Sequence, residues 1–432
     1  MKMKRIVALL LAAMMMVAVF ASCNGDASNT STGSGSDNGD ASGQFVDPAD
    51  FGDEVNAKIK VWAPDKAVKL FKKHCDDFCA MYPDQNITIE IKSQGENDVS
   101  SKILNDPSTA ADVFSFPSDQ LPKLEASGVI APVATKYIPD IEATNAEDSC
   151  DNARIDDTMY AYPETGNGYY LVYDKSVISD KEAGSLEAIL AKCKKTNKKF
   201  IMDAGNGFYA CAFAFTGGFE CTGSEKDKDG YLTQLFNDYD EKEVVDTLTA
   251  ISKLMKDYSG IFTSLSVDNI ASNLATGTCA AGIDGSWDAV ADEKALGENL
   301  GATKLPTINV NGEDKQLISA FGFKLLGVNN VSKYQRTAQI LAYYLSSKPC
   351  QQDRCDELGW SPTNNEVSES DSAKNNVTIK ALLAQKEHSI SQVNVTESTW
   401  GQFGTLGDSM IKDPNQDIKV LFDKIVTNIK EG

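Results

Sequence analysis

The sequence predicts an α/β protein with two domains, set behind an N-terminal leader and linker. Three observations predict it. Along most of the chain the apolar residues switch between a period of two and a period near 3.6, so strands and helices follow one another. Residues 45–432 are too many for one ordinary core. The residues before them show neither pattern; they carry one short apolar run and then a polar tract.

Met1–Arg5 (MKMKR) is positive, Ile6–Phe20 is almost entirely apolar, and Ala21 and Ser22 precede Cys23. That order reads as a secretory signal peptide over residues 1–22. A run of about 15 apolar residues falls short of the roughly 20 needed to span a bilayer. Phe20 to Cys23 (FASC) resembles a bacterial lipobox, with Phe20 where leucine is usual. The resemblance implies that Cys23 is lipidated, becomes the mature N-terminus, and holds the protein on the membrane. Residues 24–44 are nearly all Asn, Gly, Asp, Ser, Thr and Ala. They lack the apolar surface that offsets ordering entropy, so a flexible linker is expected over 23–50.

The elements follow in order. Ile59–Trp62 is a short strand, and residues 66–82 place apolar side chains on one helical face until Pro83 ends it. Ile87, Ile89 and Ile91 alternate with polar residues as a strand does. The chain therefore opens as a β-α-β unit, expected parallel. Residues 112–116 give a third strand and 118–127 a helix stopped by Gly128. Strand 170–173, helix 186–195 and strand 199–203 continue the alternation, and 242–258, 335–347 and 415–430 are amphipathic helices. The polar, acidic stretch 364–376 reads as a loop.

Composition narrows the partners. The chain has 62 acidic and 41 basic residues, a net charge of −21. Such a surface repels nucleic acid and anionic lipid and favours neutral or cationic ligands. Nine cysteines follow Cys23, with no C-x-x-C spacing, and are expected to be mostly buried small apolar residues. With two histidines, His74 and His388, histidine-rich metal catalysis is excluded; His74 on a lysine-rich helix is expected to be solvated. No G-x-S-x-G, H-E-x-x-H or Walker A string occurs. Glu225, Asp227, Asp229 and Gly230 approach a calcium loop, but Phe236 stands where the bidentate glutamate belongs. A polar turn between strands is the better reading. No metal and no cofactor are expected.

Six stretches carry a family resemblance: Ile59–Lys66 (IKVWAPDK), Ala111–Gln120 (ADVFSFPSDQ), Tyr160–Glu164 (YAYPE) running into Gly168–Lys175 (GYYLVYDK), Gly277–Trp287 (GTCAAGIDGSW), Leu305–Thr307 with the strand Phe321–Val328, and Leu358-Gly359 with the Trp400 region. In this order they resemble the extracellular solute-binding proteins of ABC sugar importers, of the maltose/maltodextrin-binding group. The resemblance implies a two-lobed, periplasmic-binding-protein-like fold (type II), with lobes discontinuous in sequence and a ligand cleft between them. The lobes are expected at 51–165 plus 305–362 and at 166–304 plus 363–432, with crossovers near 163–168, 303–306 and 360–368. Gly166 and Gly168 suit a hinge.

Sugar recognition needs flat aromatic faces for the pyranose ring and carboxylates, amides and a few cations for its hydroxyls. By position, the resemblance implies that Asp65, Lys66 and Asp119 make polar contacts. Gln120 stands where an arginine is common and Asn167 where an acid is common. Asn206, Phe208 and Tyr209 fall in a second aromatic–acid loop, Trp287 and Trp400 match two stacking tryptophans, and Glu164 is a further candidate. Pro117 replaces the family's tryptophan after the third strand. Trp62 and Tyr170 are the candidate substitutes, whereas Trp360 reads as core. The lost platform favours longer or different oligosaccharides over maltose.

The expected function is a monomeric, lipid-anchored extracellular receptor, not an enzyme, that captures a malto-oligosaccharide and delivers it to an ABC permease. Binders of xylo-, fructo- or galacto-oligosaccharides, or of a polyamine through cation–π contacts, are alternatives of the same class. A surface glycosidase, which needs two carboxylates about 5–10 Å apart, and an adhesin or scaffold are alternatives of other classes.

Overall fold

Lys58–Ala63 lies parallel to both Thr88–Ser93 and Val113–Pro117, and the helix Val68–Met81 connects the first pair. This computed structural model describes residues 44–227 and 232–431, so the signal peptide, Cys23 and the turn at Asp229-Gly230 lie outside the described residues. The strands on either side of Asp229-Gly230, Cys221–Lys226 and Leu232–Phe236, pair antiparallel.

The first sheet draws its remaining strands from distant parts of the chain. Ser319–Val328 runs antiparallel to Val113–Pro117 and to Ala161–Asn167, and Ser389–Ser391 adds a parallel edge strand. The second sheet is mixed. Phe262–Ser264, Lys199–Met202 and Cys279–Gly285 are parallel, whereas Tyr169–Asp174 is antiparallel to both Cys279–Gly285 and Leu300–Thr303. That reversal follows from the crossover: the chain passes from Ala161–Asn167 into Tyr169–Asp174 through Gly168 alone, with no helix to turn it round. A Cβ on Gly168 would stand 3.0 Å from both Leu382 and Phe321. The crossover is stitched to a second segment, since Gly166 N–H and Thr165 Oγ1–H both donate to Ser361 O, at 2.9 and 2.7 Å.

Several expectations change. Residues 45–50, expected in the flexible linker, are packed: the Phe45 ring lies 4.9 Å from Tyr343, and Pro48–Phe51 forms a 3-10 turn. Leu305, Ile308, Val310 and Leu317, expected in the N-terminal lobe, join the second lobe's core with Leu248 and Phe200. Ser389–Ser391, expected in the C-terminal lobe, extends the first sheet. The expected loop 364–376 contains two short helices, Asn365–Ser368 and Asp371–Asn375, capped by Asn364 and Ser370. Its polar residues serve as caps and exposed faces, with Val367 and Ala373 buried. His74 is buried, and its Nε2 lies 3.0 Å from Asp353; it shares the inner face of its helix with Phe71 and Phe78. The nine described cysteines are all free; eight are buried and Cys79 is half-buried. Burial pushes the Cys150 and Cys350 thiols up to about 11, which keeps them unreactive.

Candidate functional site

A cavity of about 490 Å³ opens between the two sheets. Its walls are the segments that follow strands: Pro64–Lys66 after Lys58–Ala63, Ser118–Gln120 after Val113–Pro117, Asp203–Asn206 after Lys199–Met202, and Trp287 after Cys279–Gly285. Crevices at the carboxyl ends of strands are where open α/β sheets hold ligands.

The aromatic wall depends on glycines. Trp287 folds back over Gly285, where a Cβ would sit 2.3 Å from the indole Cζ2. Trp400 lies on the helix Glu397–Lys412, which presses against the segment 204–207. A Cβ on Gly207 would lie 1.8 Å from Trp400 O, one on Gly404 2.5 Å from Gly205 O, and one on Gly407 2.0 Å from Ala204 O. Phe208 sits between the two tryptophans, its ring 6.3 Å from Trp287 and 5.8 Å from Trp400.

Polar contacts bridge and line the cavity. Trp400 Nε1–H donates to Asp119 Oδ2 at 2.9 Å, Lys66 Nζ meets Asp288 Oδ1 at 2.9 Å, and Asn167 Nδ2–H donates to Gln392 Oε1 at 2.9 Å. Burial pushes the Asp119 carboxyl up to about 6, against the indole N–H, which favours its charged form. The Asp288 hydrogen bond raises Lys66. Behind Asp288, burial and mutual repulsion hold Asp284 well above the usual carboxylate range, and burial brings Asp292 to about 7. Burial also raises Asp203 in the cavity wall.

Residues 66–381 match the family model described as bacterial extracellular solute-binding protein. The chain belongs to that family. A galactooligosaccharide-binding protein of Bacillus subtilis (strain 168) is 26% identical over 298 residues, spanning 67% of this chain and 69% of that one. A solved structure with acarbose superposes with a TM-score of 0.76 at 26% identity, over 87% of this chain and 99% of that one. A maltodextrin-binding protein of L. casei without ligand reaches 0.73 at 20% identity, over 88% and 100%. These likenesses establish the two-lobed fold of this solute-binding protein.

Ten of the twelve expected ligand-binding side chains line this one cavity: from the first-lobe loops and crossover Asp65, Lys66, Asp119, Gln120 and Asn167, and from the second-lobe wall Asn206, Phe208, Tyr209, Trp287 and Trp400. Gln120 and Asn206 are already engaged. Gln120 accepts from Ser100 N–H at 2.9 Å and donates to Glu96 O at 2.8 Å, which holds the 96–97 turn. Asn206 caps the helix Gly207–Thr216 through Phe208 N–H.

Trp62, Glu164 and Tyr170 do not line the cavity. Strand alternation turns Trp62 away from Val61 and Ala63, onto a face where it packs against the first core. Glu164 lies buried within Ala161–Asn167 and accepts from Ser115 Oγ–H at 2.6 Å; burial raises its carboxyl. Tyr170 is fully buried in the first core and donates to Asp292 Oδ2 at 3.3 Å.

Glu96, Asp203, Lys324 and Gln392 line the cavity without having been singled out in the sequence, and Trp360, expected as core, is buried and also lines it. Lys324 carried a signal, a lone charge inside the buried strand Ser319–Val328. Trp360 follows Gly359, whose φ of +65° ends the helix Lys348–Leu358 and turns the chain towards the cavity. Among the described residues no cluster of His, Cys, Asp or Glu could hold a metal ion, and no helix is long and apolar enough to cross a membrane.

Proposed function

We propose that this solute-binding protein captures a neutral oligosaccharide outside the cell and delivers it to an ABC permease, with a malto-oligosaccharide as the first candidate. One observation carries the reading: Trp287, Trp360, Trp400 and Phe208 share a single cavity with carboxylates and amides from both lobes. Indole faces suit pyranose C–H surfaces, and carboxylates and amides suit hydroxyls. The likeness to a structure solved with acarbose and to a Thermus thermophilus maltotriose-binding protein supports an α-glucan. The galactooligosaccharide-binding relative favours a second reading, a galactooligosaccharide.

Titrating the protein with maltotriose, maltohexaose, galactotetraose and xylotetraose, followed by tryptophan fluorescence and thermal shift, tests it. A ligand at 100 times its Kd adds about 2.7 kcal/mol of stability. Saturable binding with the sugar recovered intact supports a receptor. Release of shorter sugars would make it a hydrolase, and silence across the panel would remove the oligosaccharide reading. The lipid anchor is part of the same proposal: wild-type protein should partition into detergent, and Cys23→Ala should not.

A further inference from the structure

The cavity carries an electrostatic contradiction. Asp65, Glu96, Asp119, Asp203, Asp268 and Glu397 line it, against Lys66 and Lys324. In a chain of net charge −21 such a cleft draws in cations. Its tryptophans also offer faces on which a desolvated ammonium binds well. On charge and aromatic content alone, the site suits a polyamine or quaternary amine as well as a sugar.

Lys324 changes that balance. Its side chain is 3 % exposed, and Nζ donates to Glu96 Oε2 at 2.8 Å. The same ammonium stands 4.4 Å from the Trp360 ring centroid and 5.3 Å from that of Trp287. A cation, a carboxylate and two indole faces thus form a complete cation box, and the cation belongs to the protein. Strand register supports the placement, since Lys324 pairs with Pro117 on one side and Thr165 on the other, each two residues before a cavity-lining side chain, Asp119 and Asn167.

We infer that Lys324 is a specificity-determining residue that reserves the cleft for neutral ligands, because its own ammonium fills the aromatic seat a cationic ligand would take. This deepens the proposed function and rests on it. A ligand amine entering the box meets a fixed positive charge whose carboxylate partner is already engaged. A neutral sugar meets no such repulsion and uses Trp400, Phe208 and the part of Trp287 that stays open to the cavity. Removing the charge leaves Glu96 unpaired beside two indoles, a vacant seat for a cation.

The test compares choline and maltotriose by calorimetry on wild-type protein, Lys324→Met, Lys324→Gln and Lys324→Met/Glu96→Gln. Wild type should give no choline binding up to tens of millimolar. Lys324→Met and Lys324→Gln should each bind choline at least tenfold more tightly than wild type, and the double variant should lose that gain because the carboxylate is gone. Lys324→Gln can still hydrogen-bond Glu96 and guards against misfolding of Lys324→Met, with circular dichroism as the fold check. Choline binding by wild type equal to that of the folded variants, or no gain in a folded variant, overturns the inference. Failure of wild type to bind any oligosaccharide would remove the proposed function, while the choline comparison would still decide the role of Lys324.

Discussion

The indole N–H of Trp400 donates to Asp119 Oδ2 at 2.9 Å across the cleft, joining the loop after Val113–Pro117 to the helix Glu397–Lys412. Lys66 and Asp288 make a second bridge at 2.9 Å. Asp119, Trp400 and Lys66, three side chains expected to meet ligand, thus take part in the bonds that join the two lobes. A ligand must exchange these bonds for its own, and closure follows its differential affinity for the two arrangements.

Trp400→Phe keeps an aromatic ring and removes the donor, and Asp119→Ala removes the acceptor. A hydrogen bond to a charged group contributes about 1.5–3 kcal/mol. A double-mutant cycle on the urea stability of ligand-free protein should therefore give a coupling of about 1–2 kcal/mol, reduced by partial exposure. Additive single-mutant effects would mean that the bridge contributes nothing.

The buried carboxyls predict the sign of a pH dependence. Asp119 is raised to about 6 and Asp292 to about 7, both chiefly by burial. Between the ordinary carboxyl value near 4 and these values, the folded protein holds protons that the unfolded chain has released. Their contribution to stability is full below about pH 4 and is lost as pH rises to about 7. Relative to wild type, Asp292→Asn should gain stability steadily from pH 5 to pH 7, read from urea midpoints. A constant offset between the two proteins across that range would contradict the assignment.

Much of the first lobe was legible because its signals are local. Alternation in Ile87, Ile89 and Ile91 and the helical face of 66–82 specify a β-α-β unit without reference to anything distant. The cavity was legible in part for the same reason, since loops that follow strands face the crevice. What was missed depends on pairing. Whether Trp62 points to the cavity is decided by strand parity and by where the strand ends, one residue later at Ala63. Lys324 reaches the site only because Ser319–Val328 inserts between Val113–Pro117 and Ala161–Asn167, strands more than 150 residues away in sequence. The membership of 305–317 in the second core likewise depends on packing against Glu241–Asp257, which no local period reports.

The glycine contacts yield a paired test on one helix. Gly207→Ala would place a Cβ 1.8 Å from Trp400 O, so the helix carrying Trp400 must move. Gly401 has open space around its Cβ position, and Gly401→Ala should gain about 0.5–1 kcal/mol from helix propensity. Gly207→Ala should cost about 1–3 kcal/mol, as overpacking does, and should weaken ligand binding as well. Equal midpoints for the two variants would show that the helix does not rely on this close approach.

Trp287 and Trp400 separate stacking from packing. An indole that shields about 80–100 Å² of sugar at roughly 25 cal/mol per Å² contributes about 2 kcal/mol, or about thirtyfold in affinity. A core tryptophan would instead cost about 3–5 kcal/mol of stability on truncation. Both side chains are half-buried, but their surroundings differ. Trp400 bonds Asp119 and packs beside Phe208 and Phe403. Trp287 rests on Gly285, with Phe208 6.3 Å away, and makes no hydrogen bond to Asp119. Trp287→Ala should therefore weaken oligosaccharide binding about thirtyfold with little change in urea midpoint, whereas Trp400→Ala should lower both. If Trp287→Ala instead collapses the midpoint by several kcal/mol, its ring is a structural wedge between the lobes, and the stacking surface must be sought on Phe208 and Trp400.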